Sequence, residues 1–371
     1  MTPLASLLAS RIRRHGPITF AEYMRECLYH PLHGYYSKPE SERAADYYTS
    51  VDIHPIFGRL LARQFAEMWE QLDRPREFVV VEAGAGAGRL SRHVLEFSRQ
   101  KLPDFYRALR STAVERSPAR CEQMRNQLYA FVQEGKCNTS IEIPEHIAVG
   151  CIFSNELLDA LPVHRVLQQR SKLQEIFVTH DGKKFSEVLA SLSNQAIADY
   201  FSVQNVTLQN GQHAEVGLEA CDWIHEIARR LQRGFVLSID YGHEAADLYD
   251  AHHASGTVLA YANHQTSEQF YDAPGEQDLT AHVNFTALRL WGERNGLDTL
   301  GFTSQMAFLL ALGEQNEFAD LYEEGMGEAA RVRARLQLKT LIYPEGMGER
   351  FHVLLQQKNV PHARLRGLRS L

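Results

Sequence analysis

Phe78-Val79-Val80-Val81-Glu82-Ala83-Gly84-Ala85-Gly86-Ala87-Gly88 is the stretch on which the fold turns. Its continuous apolar start predicts a strand buried on both faces, as in a parallel sheet. The alternating glycines predict a tight loop, and Leu90, Val94 and Leu95 then recur at helical spacing. Strand, glycine loop and helix in that order put the loop beyond the carboxyl end of a strand, where open α/β sheets bind ligands.

The pattern repeats outward from this stretch. A strand at Thr112-Ala113-Val114 precedes a helix over 117–134, and an apolar strand over 148–153 leads into a helical turn that Pro162 ends. Alternation of this kind predicts a parallel sheet with helices on both faces. Texture changes over 163–211, where antiparallel strands at 163–167 and 175–179 read as an insertion. A helix over 219–232, with Gly234 as its stop, leads to a strand over 235–240. Further candidates are a strand over 257–261, a helix over 285–294, a strand and helix within 300–312, acidic helical chain to about residue 338, and a strand over 351–355. Upstream, residues 3–30 read as two helices broken at Gly16-Pro17, with Thr19 and Glu22 as a capping box, and another helix spans 56–72. The division expected from this is a helical N-terminal cap over 1–75, the first half of a ligand-binding sheet over 76–162, an inserted α+β substrate subdomain over 163–218, the rest of the sheet with a second insertion over 219–358, and a flexible tail over 359–371.

Composition restricts the function. Of 371 residues 44% are hydrophobic and 23% charged, the balance of a globular chain. A net charge of −7 is not the footprint of a nucleic-acid binder. No apolar run approaches the roughly 20 residues of a membrane span. Five scattered cysteines without a Cys-x-x-Cys pair read as reduced and buried, so a soluble cytosolic protein is expected. Seventeen histidines show no metal-ligand spacing, and none is expected to bind a metal. The first 21 residues lack acids and carry Arg11, Arg13 and Arg14, loosely resembling a transit peptide, but Leu4, Leu7, Leu8 and Ile12 read better as a folded helix.

The glycine loop departs from the dinucleotide fingerprint, because Arg89 stands at the sixth position where a third glycine is needed. An acid followed by Gly-x-Gly-x-Gly resembles instead the first motif of class I S-adenosylmethionine-dependent methyltransferases. On that reading Gly84, Gly86 and Gly88 let the backbone approach the ligand, Glu82 orders the loop or meets the ligand's ammonium group, and Glu115, ending the second strand, accepts both ribose hydroxyls. Plain turns and exposed strand-end acids are the alternatives.

Several further segments, in one order along most of the chain, resemble the MidA-like family of class I methyltransferases. They are Gly16-Pro17-Ile18-Thr19-Phe20, Tyr29-His30-Pro31, Gly34-Tyr35-Tyr36, Tyr48-Thr49-Ser50, Asn155-Glu156-Leu157-Leu158-Asp159-Ala160-Leu161-Pro162, Ile239-Asp240-Tyr241-Gly242, Gly275-Glu276-Gln277-Asp278-Leu279-Thr280-Ala281-His282-Val283 and Met347-Gly348-Glu349-Arg350-Phe351. The resemblance implies a Rossmann-like sheet, S-adenosylmethionine as cofactor, and, as in mitochondrial members that assist respiratory complex I assembly, methylation of arginine in a partner protein. It implies a bacterial cytoplasmic protein, or a mitochondrial matrix one if eukaryotic. This chain has Asn284 where the family usually has aspartate, Ala45 where glycine is usual, and Arg92-His93 where an acid often follows the loop.

For arginine methylation, carboxylates must orient a guanidinium that stays charged. Glu156 and Asp159, three apart on the expected helical turn, are the candidates, with His282 as a proton acceptor. The alternative for that pair is a helix start capped by Asn155. Asn155, Thr49 and Ser50 join the cofactor set, and Asp240, Tyr241 and Asp278 the substrate set. A methyltransferase acting on a small molecule and a non-catalytic binder that assists assembly are the competing readings. The oligomeric state is left between monomer and homodimer.

Overall fold

Residues 78–83 form a strand because both faces are covered, with Phe78, Val81 and Ala83 all buried. In the computed structural model, which describes residues 1–38, 55–170, 172–262, 265–314, 318, 327–343 and 347–369, this strand is central to the larger sheet. The order across that sheet is Asp298–Ser304, Phe351–Lys358, Leu231–His243, Ile147–Asn155, Phe78–Ala83, Leu109–Val114 and Cys137–Ser140. All neighbours are parallel except at Phe351–Lys358, which runs against both of its partners. From Phe78–Ala83 the chain winds one way to Leu109–Val114 and Cys137–Ser140. It then returns to the other side for Ile147–Asn155 and Leu231–His243. The reversal lies between Phe78–Ala83 and Ile147–Asn155, the switch point where such sheets open a crevice beyond their carboxyl ends.

The central strands meet closely at two glycines. A Cβ on Gly150 would lie 2.0 Å from the Val79 carbonyl oxygen, and one on Gly234 1.9 Å from that of Gly150. Gly234 is therefore not the helix stop that its position suggests. The helix Leu218–Arg230 passes directly into the strand Leu231–His243, and Gly234 sits inside that strand with φ of +142°. The expected helical turn after residue 153 is corrected too. The strand runs on to Asn155, and residues 156–163 are bends and turns without a helix.

The chain divides into two interleaved units. The unit built on the large sheet comprises residues 48–157, 225–241 and 292–371. Its core joins Phe57, Phe65, Phe78, Phe153, Leu237, Phe308 and Leu355. The helix Ile56–Gln71 packs on Arg89–Lys101 in this unit and is not part of an N-terminal cap ending at residue 75. The other unit comprises residues 1–47, 158–224 and 242–291. There the helices Pro3–His15 and Phe20–Tyr29, the second with both halves of the Thr19–Glu22 capping box formed, bury Leu4, Leu8, Phe20 and Tyr23. Five antiparallel strands follow, with Lys172–His180 paired to Ile18–Thr19, His164–Gln169 and Phe185–Ala190, and His213–Val216 beside His164–Gln169. A three-stranded sheet, Gln265–Ser267, Leu259–Ala262 and Asp278–Thr280, lies in the second insertion.

The described part of the C-terminal segment, residues 359–369, is docked on the unit built on the large sheet, where the sequence pattern suggests a flexible tail. Backbone N–H groups of Arg364, Arg366 and Gly367 donate to Gln71, Glu67 and Gln64 respectively, all on the helix Ile56–Gln71, and Leu365 is buried in the core. Side-chain acceptors on that helix thus replace the strand or helix partners the segment lacks. Leu365→Ala is expected to cost about 2–4 kcal/mol in urea unfolding, as for other buried leucines. A value near zero would mean that the tail does not contribute to the core.

Candidate functional site

At the switch point the glycine loop turns through three left-handed residues, Gly84 at φ +73°, Gly86 at +55° and Gly88 at +79°. The three differ in what surrounds them. A Cβ on Gly84 would meet Leu157 Cδ1 at 2.8 Å, and one on Gly88 would meet Leu128 and Met124 at 3.1 Å. At Gly86 no atom of the described residues lies within 4 Å, so among them the loop presents bare backbone at its middle glycine. The loop is held by Ala85 N–H donating to the Val114 carbonyl (2.9 Å).

Four carboxylates stand at the same ends of neighbouring strands, and the fold uses each differently. Glu82 is buried, and its Oε2 accepts from Ser91 N–H (3.0 Å) and from the Ser91 hydroxyl in the first turn of the helix Arg89–Lys101. It orders the loop from behind. Burial, partly offset by Ser91, pushes its pKa up to about 7. Glu115 grips the loop from the front, with Oε2 accepting from Gly86 N–H (3.0 Å) and Oε1 from Ser117 N–H (2.8 Å). Arg120 lies 3.9 Å away. Asp240 is completely buried, and its oxygens accept from the backbone N–H groups of Leu157 (3.1 Å) and Tyr241 (2.9 Å). It fixes the turn after Asn155, which removes the basis for placing it against a substrate.

Glu156 differs from the other three. It is half-buried, its Oε1 accepts from Asn155 Nδ2 (3.1 Å), and its backbone is left-handed at φ +51° while its N–H donates to the Ile239 carbonyl. A left-handed non-glycine residue costs about 1–2 kcal/mol. Strain of this kind collects at functional sites.

The remaining candidates have other partners. Tyr241 tilts against Phe351 at 5.9 Å. Asp159, Asp278 and His282 belong to the other unit, and without a helical turn the argument that Glu156 and Asp159 share a face falls away. The Asp159 carbonyl accepts from Ala281 N–H, and both Asp278 oxygens accept from the Tyr36 hydroxyl (2.9 and 3.0 Å). His282 stands beside His243 and His253, at 5.2 and 5.6 Å between ring centres. Burial first, then those two imidazoles, holds its pKa down to about 3. A base that weak is poorly matched to taking a proton at neutral pH. Thr49 and Ser50 lie outside the described residues. Asn284 is explained by packing: its Oδ1 accepts from Ala287 N–H at the start of the helix Phe285–Arg294, while its Nδ2 donates to Gln204 and to the Tyr249 hydroxyl. Ser91 and Ser117, which hold the two loop carboxylates, escaped the sequence reading. Ser91 stands three residues past Gly88, the spacing of an N-terminal helix contact, and that was the available signal.

The raised Glu82 pKa has a defined pH consequence. The folded protein keeps that proton to about 7 whereas an unfolded chain releases it near 4.5. The stabilising contribution is therefore complete below 4.5 and lost as pH rises through 7. That gap corresponds to roughly 3 kcal/mol. Urea unfolding of the protein and of Glu82→Gln should show wild-type stability falling relative to the variant between pH 5 and pH 8, as 2.303RT per pH unit requires for one proton. Parallel curves would show that Glu82 titrates normally.

The chain is similar to known proteins. The family described as "Putative S-adenosyl-L-methionine-dependent methyltransferase" matches residues 60–303. The mitochondrial protein arginine methyltransferase NDUFAF7 of Danio rerio is 30% identical over 372 residues, covering 93% of this chain and 84% of that protein. Its Homo sapiens counterpart is 29% identical over 397 residues, covering 99% and 85%. A Burkholderia thailandensis protein, described as a likely methyl transferase of the COG1565 superfamily and crystallised with S-adenosyl-homocysteine, superposes with a TM-score of 0.87 at 27% identity, over 98% of this chain and 94% of that one. With its switch-point glycine loop and reversed strand Phe351–Lys358, this chain belongs to the MidA-like family and is an S-adenosyl-L-methionine-dependent methyltransferase.

Proposed function

We propose that the chain methylates an arginine side chain of a partner protein, and that Glu156 is the carboxylate that holds the guanidinium. The observation that carries this reading is Glu156 itself, a half-buried acid kept in a left-handed conformation at the end of the strand next to the glycine loop. The relatives named as protein arginine methyltransferases support the choice of acceptor, and the family resemblance carried by the sequence motifs extends the reading to a subunit of respiratory complex I as the partner.

The residues present fit S-adenosyl-L-methionine. Bare backbone at Gly86 leaves room for close approach, and the Glu115 carboxylate beside it can accept from vicinal hydroxyls. Asn155, almost fully buried at the next strand end, completes the set. When bound, the cofactor supplies an activated methyl on sulfur. The protein's part is alignment and charge. Glu156 would accept hydrogen bonds from the guanidinium, orient one nitrogen toward the methyl, and localise the cation's charge away from it. The guanidinium nitrogen that accepts the methyl would give up one proton, which Glu156 or solvent would take.

Incubation with a radiolabelled methyl donor and extract protein, followed by acid hydrolysis, should yield labelled methylarginine. Glu156→Gln should lower that rate at least about 100-fold. Glu156→Gly should do the same while leaving stability within about 1 kcal/mol of wild type, because glycine relieves the left-handed strain and adds unfolded-state entropy. Gly86→Val should abolish donor binding in calorimetry, since a β-branched residue does not tolerate φ of +55°. Label confined to small molecules would replace the acceptor, and donor binding without any transfer would leave a non-catalytic assembly factor.

A further inference from the structure

His243, His253 and His282 come from three separate stretches of the second insertion, and their ligand-capable atoms all lie within 4.8 Å of one another. His243 ends the strand Leu231–His243, His253 sits in the short 3-10 helix Ala251–His253, and His282 directly precedes the strand Val283–Asn284. The parallel pairing of Gly242 with Val283 and of His243 with Asn284 brings the first and third together. A Cβ on Gly242 would lie 2.1 Å from the Val283 carbonyl oxygen, so only glycine permits that approach. Ring centres are 5.2 Å apart for His243–His253 and for His243–His282.

We infer that these three imidazoles form a binding site for a divalent transition cation, best suited to Zn²⁺, that clamps the ends of the second insertion. Zinc–nitrogen bonds of about 2.0–2.1 Å in a tetrahedral site put ligand nitrogens about 3.4 Å apart, so modest ring rotations bring this triangle to size. Three neutral imidazoles favour Zn²⁺, Cu²⁺ or Ni²⁺ over Mg²⁺ or Ca²⁺. His253 also has its outer partner in place. His253 Nδ1 donates to the Asp247 carbonyl (2.8 Å) with the Asp250 carboxylate 3.3 Å away, which leaves its Nε2 with a lone pair. Metal-ligating histidines have this kind of second partner. Asp250 in turn accepts from the His252 and His253 N–H groups (2.8 and 3.2 Å), and His282 N–H donates to Thr257 Oγ1 (3.1 Å), so the backbone behind two of the ligands is tied down. Three protein ligands leave one coordination position for water. All three rings are half-buried, which gives the ion access. Their separation along the chain explains why no metal spacing is visible in the sequence.

The test uses the full-length protein, stripped with a chelator and titrated with Zn²⁺ in a calorimeter, beside His253→Ala and the double variant His243→Ala/His253→Ala. One Zn²⁺ per chain is expected, with binding at least about tenfold weaker in His253→Ala and lost in the double variant. Zn²⁺ should raise the thermal midpoint of the wild type and not of the double variant. Absence of binding by the wild type, or equal affinity in all three proteins, would overturn the site. Should a variant fail to fold, Co²⁺ added to the wild type decides: strong visible bands of tetrahedral cobalt support the site, and the faint spectrum of the hydrated ion refutes it. None of these readouts depends on methyl transfer, so the inference stands or falls apart from the proposed acceptor.

Discussion

The ligand end of the large sheet depends on one conformational demand, that the chain leave Ala83 and enter a helix at Arg89 through three left-handed positions. Only glycine meets this without strain at each of them. The loop so formed is then pinned from both sides, by Glu82 on Ser91 behind it and by Glu115 on the Gly86 N–H in front. Because a side chain at Gly84 or Gly88 would strike Leu157 or Leu128, the loop's shape is tied to the packing of the next strand end and of the helix Pro118–Gln133. The middle glycine has no described side chain against it. Held by packing at Gly84 and Gly88 and by Glu115 on the Gly86 N–H, the loop is a rigid stretch of backbone to which a ligand can come close.

The same demand for close backbone approach recurs in the sheet at Gly150 and Gly234 and in the second insertion at Gly242. In each case a neighbouring carbonyl occupies the place of a side chain. These glycines set how near the strands lie, and in the last case they place His243 beside His282.

Chemical identity does not separate the four acids at the strand ends; burial and partners do. Glu82 and Asp240 are enclosed and satisfied by the first turn of a helix and by a backbone turn, so their work is structural. Glu115 divides its oxygens between the glycine loop and the following helix start. Glu156 alone among the four keeps substantial exposure, and it does so on strained backbone. An acid kept where the chain resists placing it is a functional candidate on that ground.

Local periodicity was sufficient wherever a segment's partner was implied by its own pattern. The run Phe78–Val81, the helical spacing after Gly88, the capping box at Thr19 and the helix Phe285–Arg294 were all legible, because apolar period and cap chemistry are properties of neighbouring residues. The glycine loop and its two carboxylates were legible for the same reason. Tertiary structure decided the rest. It turned the expected helical turn before Pro162 into bends and turns by extending the strand to Asn155, placed Gly234 inside a strand, and anchored the tail on side chains of Ile56–Gln71. It also interleaved the two units and gathered three histidines that no spacing connects. Sequence patterns report what a residue's neighbours along the chain require, whereas close approach, burial and the meeting of distant side chains are set only when the strands have chosen their order.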